Sequence, residues 1–191
     1  MTFEHICTET VDFVIADEVA ADVQAREALL DRAMGAGRKR KSSEKLRRGR
    51  LVAEGLAFVA RSSEGQLIGT VRLWNVAVND KPMLLLGPLA VDNVAAGQGV
   101  GSALMRHAIH RARLLGHGAI VLVGDPAYYR RFGFSAELTG GPMMPGPVER
   151  HRLLAIELTA DSLDAAGLLV ATGGRETRQR MPAASDVNRA A

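Results

Sequence analysis

Residues 87–102, Gly-Pro-Leu-Ala-Val-Asp-Asn-Val-Ala-Ala-Gly-Gln-Gly-Val-Gly-Ser, restrict this chain more than any other stretch. An apolar run from Met83 to Val91 meets a turn that holds Gly97, Gly99 and Gly101. A helical stripe begins at once, with Val100, Leu104, Ala108, Ala112 and Leu115 on one face. A strand feeding a glycine-rich turn at a helix N-terminus leaves backbone N–H groups facing outward, and such a turn is an anion site, usually for phosphate. Two common phosphate loops are excluded. Gly-x-Gly-x-x-Gly counted from Gly97 ends on Ser102, and counted from Gly99 it ends on Leu104; no lysine stands where a P-loop needs one.

A second element follows the apolar run Ala119 to Val123: Gly124-Asp125-Pro126-Ala127-Tyr128-Tyr129-Arg130-Arg131-Phe132-Gly133-Phe134. The two together resemble the GNAT N-acetyltransferase superfamily. The first is similar to its pyrophosphate loop, Gln/Arg-x-x-Gly-x-Gly/Ala, matched here by Ala96-Gly97-Gln98-Gly99-Val100-Gly101 at both glycines, with Ala96 departing at the first position. The second is similar to its Phe-Tyr-x-x-x-Gly-Phe element. The span LGPLAVDNVAAGQGVGSALM…VLVGDPAYYRRFGF is most similar to the YhbS-like branch.

The resemblance implies a mixed α/β fold, with helices on both faces of a central sheet splayed open between its fourth and fifth strands, here Met83–Val91 and Ala119–Val123. It implies an acetyl-CoA-dependent N-acetyltransferase (EC 2.3.1.-) that moves the acetyl group to a primary amine by direct attack in a ternary complex. Gly97, Gln98, Gly99, Val100, Gly101 and Ser102 would cradle the pyrophosphate of acetyl-CoA. Leu89, Ala90 and Val91 would pair with the pantetheine amides. Tyr129 falls at the general-acid position, and a phenol with a pKa of about 10 lies near that of the departing thiol. A general base is harder to name. Leu84, Leu85, Leu86 and Leu89 offer no carboxylate on the strand before the turn, so Glu54, Asp80, Asp92, Asp125 or a water chain stay open. Gln98 or Arg130 could replace the bracing that Ala96 lacks. Trp74 either lines an acceptor pocket or packs, and Met143 and Met144 could border the acceptor side. Tyr128, Phe132 and Phe134 are expected to pack. His107 and His110, three apart on the helix with no further cluster, are expected at a helix surface rather than on a metal.

Periodicity and turn residues outline the rest: a strand over Asp12–Ala16, a helix over Ala20–Met34 stopped by Gly35-Ala36-Gly37, and a short helix to Arg48 capped by Ser42 or Ser43. A hairpin joins Leu56–Arg61 to Gln66–Val78, and strands are expected over Phe134–Leu138 and Arg152–Leu158. Leu163–Val170 reads as a short helix or strand, and Gly173–Ala191 as a loose tail or an arm against another subunit. The expected division is a transferase domain over 1–160 and a C-terminal extension over 161–191.

A chain of 191 residues suits one transferase domain. No apolar run reaches membrane-span length, Met1 to Glu9 lacks the pattern of a secretion signal, and Cys7 is a lone cysteine, so the expected location is the cytoplasm, with no membrane partner. Residues 38–50 hold eight basic residues against the one acid Glu44, although the whole chain carries only +3, so the basic character is one segment and not a global field. That segment could be a solvated face, or meet nucleic acid, an acidic substrate or the 3′-phosphate of coenzyme A. The lack of interleaved aromatic residues argues against nucleic acid. The acceptor, a small molecule or a peptide amine, is not legible, and a homodimer stays open. The rival reading is a degenerate acyl-CoA-binding or sensing protein without turnover, which Ala96 and the missing base would favour.

Overall fold

The computed structural model of the chain describes residues 12–176. Strand β1 (Phe13–Asp17) leads through a tight turn into helix α1 (Val23–Met34), which Gly35 ends at φ 72°. A 3-10 turn over Ala36–Arg40 precedes the single-turn helix α2 (Glu44–Arg47). Strands β2 (Ala57–Ser62), β3 (Leu67–Val78) and β4 (Lys81–Val91) form an antiparallel meander. Helix α3 (Val100–Leu114), strand β5 (Ala119–Val123), helix α4 (Pro126–Tyr129), the two-residue strand β6 (Pro142–Met143) and strands β7 (Leu153–Glu157) and β8 (Gly167–Ala171) complete the order.

The sheet runs β1-β2-β3-β4-β5-β7, antiparallel except where β4 meets β5. Both faces of its centre are covered, which is why β4 and β5 read as continuous apolar runs rather than alternating ones. Leu84, Leu86, Ile120 and Leu122 pack under α3, against Val100, Leu104, Met105 and Ala108. Met83, Leu85, Ala119 and Val121 face the other way, toward Leu46 of α2 and Met144. Leu29 and Leu30 of α1 cover Val59, Leu67 and Ala90 beside them. Each such side chain contributes roughly 1.5–3 kcal/mol by leaving water.

Two features set the helices that frame the cleft. At Gly69 of β3 an added Cβ would stand 2.9 Å from both Val100 Cγ1 and Leu104 Cδ1, so the missing side chain lets α3 settle on the sheet. On the opposite face, Glu18 accepts hydrogen bonds from Arg26 of α1 and Arg72 of β3, and Asp22 accepts one from Arg61 of β2. These pairs tie α1 to the meander, and burial raises the Glu18 pKa.

Some expectations need correction. Phe134–Leu138 is not a strand. Ser135 alone bridges Ala155, then its hydroxyl accepts the Glu137 N–H (3.1 Å) and turns the chain into a 3-10 turn over Glu137–Thr139. Within Leu163–Val170 the strand begins at Gly167, and β8 pairs with β3 beyond the end of β2, so part of the expected extension belongs to the sheet. Ser43 holds the N-cap position of α2, but no side chain caps that helix. Ser42 Oγ instead donates to the Pro147 carbonyl (2.5 Å). The first tail residues are docked: Leu51 N–H reaches Gly174 O (2.7 Å) and Glu176 N–H reaches Gly49 O (3.1 Å). Cys7, the Met1–Glu9 segment and Arg178, Arg180 and Arg189 lie outside the described residues. Among the described residues no helix is long and apolar enough to cross a membrane.

Candidate active site

The sheet opens where the resemblance implies. Strands β4 and β5 pair at Leu84↔Ile120 and Leu85↔Val121, and no pairing between them continues past Leu85 among the described residues. There β4 bulges: Leu73 faces Leu86 and Val71 faces Leu89, which leaves Gly87 and Pro88 opposite one residue of β3. The bulge is braced by the Trp74 indole, whose N–H donates to the Gly87 carbonyl (2.6 Å). Trp74 therefore braces the bulge, with the Arg72 guanidinium 5.8 Å from its ring, and lines a neighbouring cavity with Glu44 and Arg47.

Beyond the bulge β4 keeps its register with β3, Leu89 to Val71, Ala90 to Thr70 and Val91 to Gly69. The Asp92 N–H donates to Ile68 O (2.8 Å). Alternation along an antiparallel ladder then aims the main-chain groups of Ala90 at Thr70, and those of Leu89 and Val91 into the splay.

At the mouth of the splay the chain turns into α3. Asp92 opens a 3-10 turn over Asn93–Ala95, accepting the Val94 N–H (3.3 Å) and pairing with Arg32 of α1 (2.6 Å). The Arg32 contact holds the Asp92 carboxyl below its ordinary pKa. Gly97 and Gly99 have φ of 78° and 82°, where a side chain would be strained. Gly99 is the N-cap of α3 and its carbonyl accepts the Ala103 N–H (2.9 Å). Among the described residues, the N–H groups of Val100, Gly101 and Ser102 have no protein acceptor, as the first turn of a helix dictates. Gln98 braces the turn through its side-chain amide on Val94 O (3.2 Å), while Ala96 and Arg130 are exposed. At Gly101 a Cβ would stand 2.8 Å from Tyr128 Oη, so Tyr128 packs over the start of α3.

Tyr129 lies at the other end of the opening. It lines a cleft with Leu86, Gly87, Pro88 and Leu89 of β4 and Val123 of β5. Its ring lies so close over Gly124 that a Cβ there would overlap it. Tyr128 packs edge-on at 4.9 Å and Phe134 at 6.0 Å. Burial, with the neighbouring Tyr128, pushes the Tyr129 pKa up to about 12, and Arg152 opposes the shift, so the phenol is a weaker acid than the match to the thiol expected from the sequence. The phenol is therefore protonated throughout the physiological range.

The facing wall comes from the basic segment. Arg38, Lys41, Ser43, Glu44 and Arg47 line the same cleft, with Met34 at the end of α1. Glu44 is the carboxylate lining it among the described residues. The four acids named from the sequence sit elsewhere: Glu54 and Asp80 are exposed in turns, Asp92 is held by Arg32, and Asp125 caps α4 through the Ala127 N–H. Much of the segment's charge is used inside the fold. Arg38 pairs with Glu27 and Asp31, Arg47 with Glu44, and Lys45, Arg48 and Arg50 donate to the carbonyls of Pro145, Lys39 and Gly173. Glu44 and Arg47 escaped the sequence reading because a charge run reads as a solvated face. The available signal was their i,i+3 spacing on a helix. Met144 is buried in the core and Met143 pairs with β8, so neither lines this cleft. His107 is not at a free surface: it packs edge-on against Phe58 at 4.6 Å, and burial lowers its pKa.

Known proteins resemble this chain in sequence and fold. Residues 24–134 match the model of the acetyltransferase (GNAT) family. The chain is 36% identical over 123 residues to an uncharacterized N-acetyltransferase, YhbS, of Escherichia coli K12, covering 63% of this chain and 72% of that one. The crystal structure of Escherichia coli YhbS in complex with CoA superposes with a TM-score of 0.73 at 30% identity, covering 88% of this chain and 94% of that one. A GNAT acetyltransferase from Brucella melitensis in complex with acetyl-CoA gives a TM-score of 0.54 at 28% identity, over 76% and 96% of the two chains.

Proposed function

The chain belongs to the GNAT acetyltransferase family, and from that premise we propose that it transfers an acetyl group from acetyl-CoA to the primary amine of an acceptor by direct attack in a ternary complex. One observation carries the reading: a gap between β4 and β5 that has unpaired helix amides at one end and a half-buried, neutral phenol at the other. The residues suit the donor. The N–H groups of Val100, Gly101 and Ser102, with the bare Cα positions of Gly97 and Gly99, form a cradle for a diphosphate. Leu89 and Val91 present main-chain groups to the pantetheine amides, and Ala90 holds the strand to β3 between them.

Each catalytic step then has a residue. Glu44 takes the proton of the incoming amine, directly or through water, and the amine adds to the thioester carbonyl. A main-chain N–H at the β4 bulge stabilises the oxyanion. When the tetrahedral adduct collapses, Tyr129 protonates the departing thiolate. Holding both substrates in one cleft supplies much of the rate.

Calorimetry with acetyl-CoA and a thiol-release assay over a broad amine panel test this reading. The expected result is binding with turnover, and a kcat for Tyr129→Phe lower by on the order of a hundredfold or more. Because the Tyr129 pKa is raised to about 12, the proton is lost only as pH rises through that value, and wild-type kcat should show no alkaline limb from this group below it. A Tyr129→Phe enzyme as fast as wild type at every pH would remove the acid assignment. Binding without thiol release from any amine would leave a sensing protein.

A further inference from the structure

We infer that the acceptor carries a carboxylate close to its amine, an amino-acid-like substrate, and that Arg47 seats that carboxylate. The inference rests on the transferase reading above and deepens its acceptor side. The Arg47 side chain is only 10% exposed, yet it lines the cleft that Tyr129 also lines. Its Nε is buried without an acceptor among the described residues. One terminal nitrogen meets Glu44 Oε2 (3.2 Å) and Ser43 Oγ (3.3 Å), and the other lies 3.5 Å from the point where a Cβ of Gly87 would stand, at the β4 bulge. Nε is shut away from solvent, so the edge offered to the cleft is the terminal nitrogen beside Gly87 together with the one that Glu44 and Ser43 share, and a carboxylate matches such a planar edge with two hydrogen bonds.

The surrounding charge points the same way. Arg38 is already answered by Glu27 (2.5 Å) and Asp31 (2.7 Å). Lys41 has no acidic partner among the described residues and lies on both this cleft and the cavity beside it, where Arg152 adds a further cation against the one carboxylate of Glu149. A polyamine would meet these cations at the entrance, whereas an anionic acceptor would be drawn in. Arg47 and Tyr129 line one cleft, so the proposal puts the anion and the reacting amine on the same small molecule.

The test is a thiol-release assay with acetyl-CoA over the free amino acids, the matching amino-acid amides and spermidine. The expected kcat/KM favours free acids over their amides by on the order of tenfold to a hundredfold, the range of a charge-assisted hydrogen bond, with spermidine poor. Arg47→Gln should abolish the acid-over-amide preference by raising the acceptor KM while the acetyl-CoA KM holds. Arg47→Lys, which keeps the charge but not the fork, should retain part of it. Amides or spermidine turned over as well as the acids would overturn the inference. So would a preference that survives in a folded Arg47→Gln protein, or a kcat loss equal for every acceptor, which would make Arg47 a positioning residue for Glu44 instead. If no acceptor is turned over, thermal shifts of the CoA-saturated protein with N-acetyl amino acids and their amides decide. A carboxylate-dependent shift in wild type, absent in Arg47→Gln, keeps the anion site while the transferase reading falls; no such shift removes the anion site.

Discussion

The two sides of the cleft are built from different materials. The side proposed to hold the donor is one continuous stretch, the end of β4, the glycine turn and the first turn of α3, and what it offers is main chain. The acceptor side is assembled from distant segments, Met34, residues 38–47, Val123 and Tyr129, and what it offers is side chains. Main-chain recognition tolerates changes of side-chain identity but not of backbone freedom. Side-chain recognition is the reverse. That contrast accounts for how a chain with Ala96 at the first loop position still presents an intact row of amides. On the proposed reading, acceptor choice belongs to the other wall.

Substitutions can break the contrast or sharpen it. The largest effect is expected at the border between the walls. Gly124→Ala puts a methyl group into the Tyr129 ring, so kcat should fall on the order of a hundredfold, as for a catalytic group displaced by about 1 Å. Acetyl-CoA should still bind, which calorimetry beside steady-state kinetics would check. If affinity and kcat fell together, the walls would not be separable there.

Gly99→Val is the matching change on the donor side. At φ 82° an L side chain costs about 1–2 kcal/mol, more for a β-branched one, so acetyl-CoA affinity should weaken by about tenfold while acceptor KM moves little. An acceptor KM that rose equally would contradict the division.

Asp92 gives a smaller effect with a pH signature. Asp92→Ala removes the cap of the 3-10 turn and should cost about 1 kcal/mol, or a few degrees in Tm. Asp92→Asn keeps a capping oxygen and loses the contact to the half-exposed Arg32, so a few tenths are expected. The Asp92 pKa is lowered in the folded chain, so this stabilisation is complete above the ordinary carboxylate value and disappears as pH falls through the lowered one. Thermal melts across that range should show the difference between Asp92→Asn and wild type closing toward low pH. Smallest of all, Ala96→Gln should tighten acetyl-CoA binding only a few-fold, because Gln98 already braces the turn through Val94.

Much of the donor side was legible in the sequence because it is local. The run Met83–Val91, the three glycines and the stripe from Val100 to Leu115 lie side by side, and their geometry follows from strand, turn and helix chemistry. The strand expected over Phe134–Leu138 failed on an equally local competitor, the Ser135 hydroxyl that turns the chain. The residues 167–171 were ambiguous because their strand exists only through pairing with segments elsewhere in the chain, Val76–Val78 some ninety residues earlier and Pro142–Met143. Trp74 could not be assigned from its neighbours, since its partner is the carbonyl at a bulge in the next strand.

What this sequence determined by itself is a row of helix amides after an apolar strand, because unpaired N–H groups at a helix start are a property of the backbone. Only the tertiary structure decided which members of the basic segment are used up in internal ion pairs, like Arg38, and which, like Lys41, line the cleft without an acidic partner among the described residues. The physical reason is that burial and pairing are relations between segments far apart in the chain, and charge counted along a sequence does not contain them.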